Sequence, residues 1–90
     1  MALSHSLKDI LNRLIFTESW HDLLAETGMH EGALRADLSW LISNGYVQVF
    51  ALDRKTSLSP FFDLDRMDAF MYRATHTGLH AIQHHHEVQR

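Results

Sequence analysis

Residues 31–52 read EGALRADLSWLISNGYVQVFAL, a helical pattern that runs directly into a strand pattern. The apolar residues of the first part recur at the spacing that places side chains on one face of a helix, and we expect them to face the core: Leu34, Leu38 and Leu41, with Ile42 beside them. The pattern predicts a helix over 31–43 that ends at Asn44-Gly45, because glycine adopts a positive φ without a Cβ clash. Residues 46–52 are rich in β-branched and aromatic side chains, which favours a strand.

Two shorter helical patterns precede this stretch. The first has apolar residues at helical spacing, namely Leu7, Ile10, Leu11, Leu14 and Ile15. Ser6 with Asp9 three residues later is a capping-box pattern, so we expect this helix to begin near Ser6. Ser19 with Asp22 repeats the pattern, and Gly28 suits the left-handed position that ends a helix. The second helix is therefore about two turns long.

A second strand and a last helix follow. Residues 70–74 (FMYRA) favour a strand that pairs antiparallel with 46–52. The seventeen residues between them, 53–69, exceed the usual length of a hairpin loop, so this loop is either functional or partly structured. Thr75 can cap a final helix over about 76–86.

The long loop changes character at Pro60. Its first half, DRKTSLSP, is polar, which is typical of a solvated segment. Its second half has apolar residues that can fold back on the domain: Phe61, Phe62, Leu64 and Met67. We therefore expect the two halves to have different surroundings.

Two motifs resemble those of a known group of proteins. Leu24-Ala-Glu-Thr-Gly28, followed by Leu38, Leu41 and Asn44-Gly-Tyr-Val47, resembles bacterial regulators of the MarR, ArsR and PadR type. Tyr72-Arg-Ala-Thr-His-Thr-Gly78 resembles the junction between wing and next helix in the same families. The resemblance implies an α+β, mostly α, winged helix-turn-helix: three helices, a two-stranded wing with a long loop, and a C-terminal helix.

This fold implies one domain over 1–90, with the helix-turn-helix at about 19–44 and the wing at about 46–74. The resemblance further implies double-stranded DNA as the partner of a transcriptional regulator, with the third helix in the major groove. The residues expected to contact DNA are His30, Gly32, Arg35 and Ser39 on that helix, and Arg54 and Lys55 on the wing.

Each cationic candidate also has an alternative interpretation. Arg35 can instead pair with Glu31 one turn back as a solvated side chain. Arg54 and Lys55 can simply keep an exposed loop soluble. The chain has a net charge of −3, and residues 1–45 hold three basic and six acidic side chains, so any DNA contact must be local.

A second hypothesis is a protein–protein interaction module of the same fold, using the third helix and the aromatic loop 60–70. Trp40 faces outward on a helical wheel and would anchor a partner, unless it packs against the second helix. Under the DNA hypothesis we expect a homodimer, because two half-sites need two copies, with the first or last helix as the seam.

Composition limits other chemistry. His76, His80 and His84 recur every four residues, a spacing that can chelate zinc or nickel or make association pH-dependent, although a solvated tail is the commoner explanation. The chain has no cysteine, phosphate loop or catalytic motif, so we expect no bound metal, no cofactor and no enzyme activity. The N-terminus lacks the pattern of a signal peptide, and the expectation is a cytoplasmic protein without a membrane span.

Overall fold

The computed structural model describes residues 3–51, 54–58 and 64–88, with side chains for residues 3–50 and 66–82. The elements in chain order are α1 (His5–Arg13), β1 (Glu18–Ser19), α2 (Trp20–Thr27), α3 (Glu31–Ser43), β2 (Val47–Ala51), β3 (Arg54–Leu58), a 3₁₀ segment (Leu64–Ala69), β4 (Phe70–Ala74) and α4 (His76–Val88). The protein is α+β and mostly helical, which confirms that part of the prediction.

The four strands form an antiparallel sheet in the order β1-β4-β2-β3. Its centre is the pairing of β2 with β4, from Val47 opposite Ala74 to Ala51 opposite Phe70, so the predicted pairing of these segments is confirmed. The sequence did not predict β1, which is too short to show a period, or β3, whose residues RKTSL have the composition of a loop. The order of elements is compatible with a winged helix.

Helix ends follow local capping chemistry, but the cap of α1 is not the residue that was predicted. Ser19 accepts from the backbone N–H of Asp22 at 3.2 Å, and Gly28 is left-handed with φ 67°, both as predicted. The expected start of α1 near Ser6 is wrong, because Ser4 is the cap and accepts from the N–H of Leu7. Ser6 lies inside the helix, where its hydroxyl donates to Asp37 on α3 at 2.8 Å.

The core joins the helices to one face of the sheet. Its buried side chains include the predicted face of α3 and lie between residues 10 and 74: Ile10, Leu11, Leu14, Trp20, Leu23, Leu34, Leu38, Leu41, Val47, Val49, Met67, Tyr72 and Ala74. Ile42 packs against this cluster from a partly buried position, as expected. Burial of this apolar surface supplies the main driving force for folding.

The long loop folds back on the helices through its second half. The 3₁₀ segment contacts α2 and α3, and Met67 is only 2% exposed. The hydroxyl of Tyr72 donates to the carbonyl of Met67 at 2.6 Å, which fastens the segment to β4. The loop is therefore partly structured, which was one of its two expected states, whereas Phe61 and Phe62 lie outside the described residues.

Candidate nucleic-acid interface

The turn between α2 and α3 is fixed by hydrogen bonds from both helices. The hydroxyl of Thr27 donates to the carbonyl of Leu23 at 2.7 Å and accepts from the N–H of Met29 at 3.3 Å. His30 then caps α3, because its Nδ1 accepts from the N–H of Gly32 at 3.1 Å. This places His30 and Gly32 together at an exposed helix start, where the N–H of Gly32 is already bonded to the His30 ring.

The outward stripe of α3 is uncharged. The residues farthest from the buried leucines are small apart from one tryptophan: Gly32, Ala36, Ser39, Trp40 and Ser43. Ser39 is half-buried at the edge of this stripe, while the other four are exposed. Base readout from this stripe therefore depends on serine hydroxyls, with Arg35 on its flank as the only basic side chain of α3.

Arg35 is half-buried and lines the space between α3 and α2. Its Nε is shielded from solvent and has no hydrogen-bond partner among the described residues. Arg35 and Glu31 do not form an ion pair, although both side chains are described, whereas on α1 Arg13 pairs with Asp9 at 3.6 Å. The alternative of a solvated arginine paired with Glu31 is thus not what the structure contains.

Trp40 lies outward, as the helical wheel predicts, and 39% of its surface is exposed. Its ring stacks on Tyr46 with centroids 5.8 Å apart and an angle of 25° between the ring planes. The packing partner is therefore the residue just after the helix rather than α2. Stacking on Tyr46 holds the indole in one orientation while one side stays open to solvent.

The two basic residues that were expected on a wing, Arg54 and Lys55, open strand β3. This strand lies at the edge of the sheet beside β2, where Arg54 is opposite Ala51. The side chains of Arg54 and Lys55 are outside the described set, so their direction stays a prediction. An edge strand has one row of backbone groups without a strand partner, and it can approach another molecule along that row.

Acidic residues group around the start of α2. Glu18 stands opposite Tyr72 in the β1–β4 register, and the side chain of Tyr72 is fully buried. Burial raises the pKa of Glu18, and the nearby carboxyls of Glu26 and Asp22 add to the effect, as does a hydrogen bond with Glu26. This cluster adds negative charge next to α2 and disfavours DNA there.

The histidine run lies on α4, away from α2 and α3 in sequence. His76 and His80 are exposed, and the side chain of His84 is outside the described set. No group of three histidine, cysteine or carboxylate side chains lies close enough to hold a metal ion in the part of the chain that is described. Metal binding by the histidines spaced i, i+4 thus stays the less favoured alternative that the sequence left open.

A depression of about 210 Å³ lies between α2, α3 and the 3₁₀ segment, and the sequence did not indicate it. Its lining residues are Trp20, His21, Glu31, Arg35, Met67 and Asp68. Asp68 lies here only because the long loop folds back on the helices. The residue spacing in the sequence does not predict the course of that loop. Asp68 therefore puts a carboxylate on the same depression as the one basic residue of α3.

Comparison with known proteins gave no match: no family model, curated protein or solved structure is significantly similar to this chain. No helix among residues 3–51 and 64–88 has the length and apolar character that crossing a bilayer requires.

Proposed function

We propose that this protein is a winged helix DNA-binding protein that acts as a transcriptional regulator. The supporting observation is the sheet order β1-β4-β2, in which the short strand after α1 pairs with the last strand and α3 leads directly into β2. In winged helix proteins this connection presents the third helix to the major groove and the wing to the flanking backbone; here β3, which pairs with β2 at the sheet edge, takes the place of the wing.

The proposed contacts are few and divided between two elements. On α3, Arg35 and Ser39 contact base edges or phosphate, and His30 and Gly32 at the exposed first turn lie beside the DNA backbone. On β3, Arg54 and Lys55 contact the backbone. Three basic side chains per copy neutralise about three phosphates, so the slope of log K against log salt is about −3 per copy.

Fluorescence anisotropy of a mixed-sequence duplex, titrated at several salt concentrations, tests this proposal without a known target site. Binding that weakens with salt at the expected slope supports a DNA surface. The variants Arg35→Ala and Arg54→Ala/Lys55→Ala should each weaken binding and flatten the slope. Arg13→Ala is the matched control, because Arg13 lies on α1 and pairs with Asp9. Absence of binding at low salt would refute the proposal.

One observation favours a second function, the binding of a protein partner. Trp40 presents a partly exposed indole, stacked on Tyr46, on the uncharged stripe of α3. Aromatic anchors of this kind dominate the binding energy of protein interfaces. A Trp40→Ala variant that lost its captured partners but bound DNA like the wild type would separate this function from the first.

A homodimer remains part of the DNA proposal. The first and last helices, α1 and α4, pack against each other, and the turn after α1 exposes Ile15 by 43% and Phe16 by 73%. An apolar side chain as exposed as Phe16 fits a seam between two copies. Light scattering of the wild type and of Phe16→Ser tests this, with a dimer expected for the first and a monomer for the second.

A further inference from the structure

The depression between α2, α3 and the 3₁₀ segment has the chemistry of a ligand site. Four of its six lining side chains are polar, and the charged ones are of both signs: Arg35 is cationic, Glu31 and Asp68 are acidic, and His21 adds an imidazole. Trp20 and Met67, which are 5% and 2% exposed, form its apolar floor. A buried apolar floor with a few polar groups around it is the usual construction of a small-molecule site.

The charged groups around the depression do not neutralise one another directly. No ion pair joins Arg35 to Glu31 or Asp68, although all three side chains are described. The Nε–H of Arg35 has also lost contact with water without gaining an acceptor from the described residues. A donor in this state is costly, and a ligand carboxylate would satisfy the guanidinium that holds it.

The size of the depression restricts the ligand. At about 210 Å³ it is smaller than the pockets that enclose drug-sized molecules, which range over about 300–1,000 Å³. A molecule with only a few heavy atoms besides its charged groups fits this space. Walls that carry charges of both signs favour a ligand that itself has both charges, since an anion would meet repulsion from Glu31 and Asp68 and a cation would meet repulsion from Arg35.

We propose that this depression binds a small zwitterion of the α-amino acid class, with its carboxylate at Arg35 and His21 and its ammonium group at Glu31 and Asp68. Because three elements contribute to the site, the ligand links the folded-back loop to α3. The proposal does not depend on DNA binding, and its test contains no nucleic acid.

The two tryptophans provide an internal comparison for this test. Trp20 lines the depression, whereas Trp40 stacks on Tyr46 outside its lining, so their indole N–H signals in a ¹⁵N correlation spectrum report on the site and on a remote position. The probes are L-alanine, propionate, which lacks the ammonium group, and ethylamine, which lacks the carboxylate. We expect L-alanine to shift the Trp20 signal saturably and to leave Trp40 unchanged. Propionate and ethylamine should bind at least tenfold more weakly.

Variants of the two charged walls complete the test. Arg35→Gln and Asp68→Asn should each weaken L-alanine binding at least tenfold, whereas Arg13→Gln on α1 should leave it unchanged. The two variants lie on different elements, so the test survives if one of them fails to fold. The chemical-shift dispersion of the same spectrum shows whether each variant is folded. The proposal is overturned if L-alanine causes no saturable Trp20 shift, if propionate binds as tightly as L-alanine, or if both folded wall variants bind like the wild type.

Discussion

Gly78 packs its backbone directly against the carbonyl of Tyr46. A Cβ atom at Gly78 would overlap that oxygen and would also lie 3.1 Å from Cδ2 of Leu11. The same carbonyl accepts from the N–H of Thr75 at 2.9 Å, and the hydroxyl of Thr75 donates to the carbonyl of Gly45 at 2.7 Å. The first turn of α4 is thus seated on the start of β2, at the point where α3 becomes the sheet.

Gly78→Ala should destabilise the protein by about 3 kcal/mol or more, because overpacking costs about 1–3 kcal/mol and here the obstacle is backbone. Chemical denaturation measures the change. Gly32→Ala is the matched control, since its Cβ would meet only His30 at 3.4 Å and alanine favours a helix. Gly32→Ala should increase the free energy of unfolding by up to about 1 kcal/mol. A Gly78→Ala variant as stable as the wild type would show that α4 does not dock as described.

Tyr72→Phe should cost about 1–3 kcal/mol, because the carbonyl of Met67 loses its buried donor. The loss of stability should be largest in the 3₁₀ segment, where amide hydrogen exchange should accelerate more than in the strands of the sheet. Tyr46→Phe is the control: the Tyr46 hydroxyl makes no hydrogen bond to the described residues, so the change should stay within about 0.5 kcal/mol. Equal effects of the two substitutions would contradict the role assigned to the Tyr72 hydroxyl.

Glu18→Gln should stabilise the protein at neutral pH. The folded state raises the pKa of Glu18 above its ordinary 4.5, mainly through burial, so it favours the protonated carboxyl. Stability from this group is present below 4.5 and is lost as the pH rises through the raised value. Glutamine removes that loss. The melting temperature of the variant should therefore be higher than that of the wild type at pH 7 and equal to it below about pH 4. A difference in melting temperature that is the same at every pH would rule out this cause.

Asp68→Asn should raise DNA affinity several-fold if the proposed function is right. The carboxylate shares a depression with Arg35, the one basic residue of α3, and opposes phosphate there. A charge effect of about 1 kcal/mol corresponds to about a fivefold change in affinity. Asp9→Asn is the control for net charge, because Asp9 lies on α1 beside Arg13. Anisotropy titrations that show equal gains for both variants would attribute the effect to total charge alone.

The motif of residues 72–78 shows how far local sequence carries structural information. Its tyrosine, threonine and glycine have separate roles, since the Tyr72 hydroxyl holds the loop, Thr75 caps the N–H of Gly78 at 3.0 Å, and Gly78 permits close packing. The sequence indicated the cap at Thr75. The roles of Tyr72 and Gly78 depend on partners outside the motif, which spacing within it does not reveal.

Local sequence was sufficient to predict the helices and the central pair of strands, because periodicity, caps and left-handed glycines are properties of a few neighbouring residues. It placed α3 at 31–43 and paired β2 with β4. Only the folded chain shows which serine caps α1, which strand RKTSL pairs with, and that Asp68 and Arg35 line the same depression. The last two features depend on contacts between segments that are far apart in the chain. The free energy of such contacts comes from burial and strand pairing, which no local sequence pattern encodes.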